Sequence, residues 1–192
     1  FPNPTSDISY LVTKPSGKVV VTYHSDIVRQ KTALKVYSPL MKRFLDKADI
    51  IMPTSEKYMN SSLTLAPYRD KCRVVNLGLE PEALVLSDLQ QRATSQIKQK
   101  YGPSILLFVG VLRYYKGLHI LLEAMKHTSF KGTLLIIGNG PLRHDLQMKI
   151  EEEGLTDRVV MLGEIVEKDL AVYYHAADAL VLPSIYRSEA YG

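Results

Sequence analysis

Arg113 and Lys116 stand in a glycine-bounded turn, Gly110 to Gly117, between an apolar run and a segment of helical periodicity. Two cations at a helix start, whose first N–H groups and dipole favour negative charge, suit a diphosphate. The plainer alternative is a pair of solvent-facing loop cations. A second turn, Gly138-Asn139-Gly140, also joins an apolar run to a helical one and is open either to ligand contact or to a plain strand-to-helix role. As a G-x-G-x-x-G fingerprint it is incomplete, because Arg143 occupies the third glycine position. His24 follows the run KVVVTY and precedes Ser25 and Asp26, a place either for a titrating donor or for a structural histidine. Glu164 follows the run VVMLG, and the polar segment PSIYRSEAYG carries Ser184, Glu189, Tyr191 and Gly192. No GxSxG or P-loop consensus is present, the five histidines form no HExxH or HxH, and Cys72 is the only cysteine. Serine-hydrolase, Walker-type ATPase and zinc chemistry therefore find no support, and no metal or cofactor is expected.

These residues need elements to hold them. Lys18 to Tyr23, Asp49 to Pro53 and Cys72 to Asn76 are short apolar, β-branched runs without alternation, the pattern of strands buried on both faces. Between the first two, Leu34, Tyr37, Met41, Phe44, Leu45 and Ala48 place one stripe on a helix that Ser38-Pro39 is expected to kink or divide. Ser55 caps the next helix, expected to run to about Leu65. Residues 79–95 lose the pattern and read as a linker. Beyond it, Ile105 to Val109, Thr133 to Ile137, Val159 to Leu162 and Ala179 to Leu182 alternate with helical stripes, among them Leu118, Leu121, Leu122 and Met125. Strand alternating with helix predicts parallel sheets wrapped on both faces. The fold class expected is thus α/β, with two Rossmann-like lobes, both incomplete: residues 1–78, an interlobe linker over 79–95, and residues 96–192. Ligands of such sheets bind beyond the carboxyl ends of the strands, where the residues named above fall.

The 192 residues are 46% hydrophobic and 23% charged, an ordinary globular composition. The longest apolar run, Ile105 to Leu112, is too short to span a membrane. Net charge is +4, unevenly spread: residues 1–100 carry 15 Lys and Arg against 9 Asp and Glu, and residues 101–192 carry 9 against 11. A basic first half suits an anionic small molecule or a membrane surface, and is too dilute for a nucleic-acid binder. With one cysteine and no visible signal peptide, a cytoplasmic setting is expected. The start at Phe1 reads as that of an internal piece.

The segments VVVTYHSDIVRQ, IIMPTSEKYMNSS, FVGVLRYYKGLHILLEAM, LLIIGNGPLR, VVMLGEI and YYHAADALVLPSIYRSEAYG, in this order, resemble the family 4 retaining glycosyltransferases of the GT-B fold. The resemblance covers nearly the whole chain. It implies transfer of a hexose, mannose among the candidates, from a nucleotide diphosphate sugar to a hydroxyl of a sugar or lipid-linked acceptor. The first half would be the acceptor-side lobe and the second the donor-side lobe, with peripheral membrane contact through the basic lobe. Arg113 and Lys116 would hold the diphosphate, with Gly110, Gly138, Asn139, Gly140, Glu164, Ser184, Tyr191 and Gly192 lining the donor. Glu189 would contact the donor sugar, and His24 the sugar and acceptor. Val111 departs from the family, many of whose members carry Arg there; a glycine-rich loop and a second glutamate of the family would fall before Phe1 and after Gly192. The piece alone is therefore expected to be inactive. The alternatives are a dinucleotide-binding Rossmann oxidoreductase and a noncatalytic nucleotide-sugar-binding protein.

Overall fold

The computed structural model describes residues 2–27, 31–78 and 81–186. Among these, the chain divides into two compact units that part after Gly78.

The first unit contains α1 (Pro4–Thr13), β1 (Val20–Tyr23), α2 (Lys31–Lys47), β2 (Ile50–Pro53), α3 (Glu56–Ser61) and a 3-10 turn, Ala66–Lys71. β1 and β2 pair in parallel, Val20 opposite Ile50. Helix α1 has no counterpart in the periodicity reading. It starts on Asn3, whose side chain accepts the Ser6 N–H, with Pro4 in the first turn, where its missing N–H costs nothing. Helix α2 runs unbroken through Pro39. Pro39 lies on the exposed side, while Met41, Phe44, Leu45 and Ala48 pack against Val21, Tyr23 and Ile51. Packing of that stripe outweighs the backbone bond that proline removes.

Three further expectations for this unit are corrected. Cys72 to Asn76 is not a regular strand: Cys72 forms a single parallel bridge with Ile51, and the Arg73 and Val75 N–H groups donate to the carbonyls of Ile51 and Pro53. The two strands are also not buried on both faces, since Val21, Tyr23, Ile51 and Pro53 are buried while Val20 and Ile50 are 52% and 38% exposed. Helix α3 ends at Ser61, short of Leu65.

The second unit contains α4 (Asp88–Tyr101), β3 (Ile105–Val109), α5 (Leu118–His127), β4 (Thr133–Ile137), α6 (Arg143–Glu152), β5 (Val159–Gly163), α7 (Glu167–Ala176) and β6 (Ala179–Leu180). The sheet is parallel throughout, in the order β5-β4-β3-β6. Its two faces carry separate cores. Phe108, Leu134 and Ile136 meet Leu118, Leu122 and Met125 of α5 and Leu146 and Ile150 of α6. Ile105, Leu107, Leu135 and Ile137 meet Ile97 and Tyr101 of α4 and Leu170, Tyr173 and Ala176 of α7. A sheet covered on both faces explains the uninterrupted apolar runs, each fully buried Leu contributing about 1.5–3 kcal/mol.

The expected linker is also corrected. Residues 88–95 open α4, with a capping box in which Ser87 accepts the Gln90 N–H and the Gln90 side chain accepts the Ser87 N–H. Gln90 Nε2 then donates to the Lys168 carbonyl at 2.9 Å, and His175 Nε2 lies 2.8 Å from the Leu84 carbonyl. These residues belong to the second unit. No described helix is long and apolar enough to cross a membrane.

Asp7 on α1 is fully buried. Tyr37 on α2 donates to its Oδ2, while Oδ1 has no partner. Burial pushes the carboxyl above its ordinary value, only partly opposed by the Tyr37 bond. A raised folded-state pKa gives a contribution to stability that is present at low pH and lost as pH rises through the folded value. The difference in melting temperature, Asp7→Asn minus wild type, is therefore expected to become more positive from about pH 3 to about pH 7. A difference that stays flat over this range contradicts the assignment.

Candidate functional site

From β3 the chain passes through α5 to β4 and on to β5, then returns through α7 to β6 on the other side of β3. Connections therefore part between β3 and β6, and beyond the carboxyl ends of these strands an open parallel sheet presents its ligand crevice.

Main-chain contacts build that rim. The Gly110 N–H donates to the Ile137 carbonyl at 3.0 Å, the Leu112 N–H to the Asn139 carbonyl at 2.9 Å, and the Gly138 N–H to the Gly163 carbonyl at 2.7 Å. On the β6 side, the Ile185 N–H donates to the Tyr115 carbonyl at 2.9 Å. The approach is too close for side chains: a Cβ on Gly138 would lie 2.0 Å from the Gly110 oxygen, one on Gly140 2.7 Å from the Leu112 nitrogen, and one on Gly117 2.0 Å from the Pro183 oxygen. Gly138 and Gly117 also adopt φ of +132° and +70°. The missing side chains of Gly138 and Gly140 thus make room for the neighbouring loop.

On this rim Arg113 precedes the 3-10 turn Tyr114–Lys116. Its side chain is exposed and forms no hydrogen bond or ion pair among the described residues. Lys116 is half-buried and folds back over the end of β3, with Nζ 3.7 Å from where a Cβ on Gly110 would stand. Gly117 leads into α5, so the two cations stand at a helix N-terminus as expected. His119 stacks on Tyr114 with ring centroids 4.8 Å apart. Asn139 accepts the Gly140 N–H through its own Oδ1, Glu164 is exposed directly after β5, and Ser184 is half-buried in the β6 loop. Arg143, met in the sequence only as a missing glycine, opens α6 with Nη1 3.1 Å from where a Cβ on Gly163 would be. The structure thus brings Gly110, Arg113, Lys116, Gly138, Asn139, Gly140, Glu164 and Ser184 to one end of the second sheet. Glu189, Tyr191 and Gly192 lie outside the described residues.

His24 follows β1 and is exposed, at the corresponding end of the first unit's sheet. Two residues on, Asp26 Oδ1 accepts hydrogen bonds from Tyr23 Oη at 2.9 Å and Ser62 Oγ at 2.8 Å. Burial and the Asp26 charge push the Tyr23 phenol far above its ordinary value, so it stays a donor. No group of three or more His, Cys, Asp or Glu among the described residues is arranged to hold a metal.

The profile of the family described as glycosyl transferases group 1 matches residues 90–192, a span that includes the whole rim. The chain belongs to the group 1 glycosyl transferases. Among curated relatives of this group 1 chain, the D-rhamnosyltransferase WbpZ of Pseudomonas aeruginosa is 41% identical over 192 residues, covering 100% of this chain and 49% of the relative. The O-antigen chain mannosyltransferase C of Escherichia coli is 41% identical over 192 residues, covering 100% and 50%. The chain spans about half the length of these relatives. Among solved structures, sucrose-phosphate synthase from Thermosynechococcus elongatus superposes with a TM-score of 0.76 at 26% identity, covering 96% of this chain and 48% of that one. Anabaena HepE in complex with UDP and glucose gives a TM-score of 0.74 at 19% identity, covering 93% and 49%. The α/β fold with parallel sheets is that of the GT-B glycosyltransferases, and the oxidoreductase alternative is set aside.

Gly138→Ala is expected to lower the unfolding free energy by about 1–3 kcal/mol or more, because either a carbonyl must move or the rim must open. Gly78→Ala, where a Cβ meets nothing within 4 Å, is expected to stay within about 0.5 kcal/mol of wild type. Equal effects in denaturant titrations would contradict the close packing assigned to the rim.

Proposed function

We propose that the whole protein is a family 4 retaining glycosyltransferase that moves a hexose from a nucleoside diphosphate sugar to a hydroxyl of a growing polysaccharide or glycolipid. The observation that carries this reading is the turn after β3, which sets Arg113 and Lys116 before a helix start at the point where the sheet's connections part. The two relatives at 41% identity, named for rhamnosyl and mannosyl transfer, favour mannose or a deoxy relative as the sugar.

In such a transfer the anomeric C–O bond to phosphate breaks through an oxocarbenium-like state while negative charge grows on the leaving diphosphate. Arg113 and Lys116 would stabilise that charge as it develops, a gain larger in the transition state than in the bound donor. The leaving phosphate oxygen takes the acceptor proton from the same face as the new bond forms, which preserves configuration. Glu189 would orient the sugar hydroxyls and favour positive charge on the ring, and His24 would hydrogen-bond the sugar or acceptor. With two cations on the diphosphate the reading calls for no metal. Peripheral contact with a membrane through the basic first half, on the cytoplasmic side, belongs to the same proposal.

In the full-length protein, Arg113→Ala and Lys116→Ala are each expected to lower kcat/KM by about tenfold to a thousandfold. Turnover of a panel of nucleotide sugars by the full-length protein is the direct measurement. Wild-type turnover and donor affinity in both variants overturn the anion site, and a folded full-length protein without turnover overturns the enzyme reading. His24→Ala is expected to slow transfer while leaving nucleoside diphosphate affinity by calorimetry within about twofold; a large loss of that affinity in a folded variant would place His24 elsewhere.

A further inference from the structure

Asp26 is held in a way that its local sequence does not explain. It follows β1 by three residues and is half-buried, and among the described residues it has no ion-pair partner. Two hydroxyls reach it from buried side chains. Tyr23, fully buried, donates at 2.9 Å, and Ser62, 2% exposed and 36 residues away in sequence, donates at 2.8 Å. Ser62 is itself fixed: the Leu65 N–H donates to Ser62 Oγ at 3.2 Å. Both bonds land on Oδ1. Oδ2 accepts none from the described residues.

A carboxylate that gives up water without gaining a cation is costly unless something else satisfies it. Here one oxygen is saturated by a preorganised pair of hydroxyls, which fixes the carboxylate plane and leaves the other oxygen as an aimed acceptor. Its place, beyond the carboxyl end of β1 and two residues after His24, is where open parallel sheets bind ligands. Among the described residues, no group of three or more His, Cys, Asp or Glu is arranged around it to hold a metal ion. A sugar hydroxyl fits this oxygen, because a carboxylate oxygen accepts a charge-assisted bond from a neutral hydroxyl.

We infer that Asp26 is a binding residue for the saccharide acceptor, taking a hydroxyl of that sugar on Oδ2 while Tyr23 and Ser62 hold Oδ1. This rests on the glycosyltransferase reading and assigns Asp26 to the acceptor alone. Asp26→Asn tests it, since the amide can keep its oxygen on Tyr23 and Ser62 while its NH2 replaces the open acceptor.

The experiment uses the full-length protein with GDP-mannose as donor, measuring both transfer to mannobiose and donor hydrolysis to water. The expected result for Asp26→Asn is a rise of about tenfold or more in KM for mannobiose, with donor hydrolysis and GDP affinity within about twofold of wild type. Ser62→Ala, which keeps the charge and frees the carboxylate, is expected to raise the same KM by a smaller factor and serves alone should Asp26→Asn fail to fold. An unchanged KM for mannobiose in the folded variants overturns the inference, as does a wild type that hydrolyses donor without using mannobiose. A folded wild type that neither hydrolyses nor transfers overturns the glycosyltransferase reading with GDP-mannose, and the inference with it.

Discussion

Main-chain segments meet at the carboxyl end of the second sheet more closely than a side chain on Gly138, Gly140 or Gly117 would allow, and the placement of the turn that carries Arg113 and Lys116 follows from that crowding. The carbonyl of Gly110 occupies the space of a Gly138 side chain, and Leu112 exchanges hydrogen bonds with Asn139 and Leu142. The β3 turn is thereby fixed at several main-chain atoms. Arg113 then stands exposed on a base held by main-chain bonds, while Lys116 lies over the strand end beside Gly110. Preorganisation of this kind matters for an anion site, since donors already in place need no reorganisation when charge develops.

Much of the second unit was legible because its sheet is covered on both faces, so that burial leaves uninterrupted apolar runs. The bounds of β3 and β4 agree with those runs, and the stripe Leu118, Leu121, Leu122 and Met125 is the buried face of α5. Where burial is one-sided or slight, the signal weakens. Helix α4 buries none of its residues completely, so its Ser87–Gln90 capping box was the better guide, and periodicity alone left residues 88–95 in a linker. Pro39 misled in the opposite direction, because a local rule about the backbone gave way to the packing of Met41, Phe44 and Leu45.

The site divides along similar lines. Arg113, Lys116 and the glycine turns are local features, written within a few residues of a strand end, and the structure places them on one rim. Asp26 is different. Its neighbours Ser25 and Ile27 reveal nothing, and what marks it out is Ser62, which pairing of β1 with β2 and the short helix α3 carry back to it. A contact of that range leaves no spacing to read in one sequence. The Arg143 guanidinium likewise lies beside Gly163, the end of a strand that the chain reaches only after all of α6.

The main-chain fastening of the rim has a bearing on which of its residues are free to vary. Among the described residues, peptide groups hold these loops together, with Asn139 Oδ1 on the Gly140 N–H, and the glycines leave the room that the close approach needs. Val111 and Glu164 are exposed on top of it and can be exchanged without unpacking what lies beneath. A lineage could therefore vary the exposed residues of this rim while the main-chain frame beneath them stays constant.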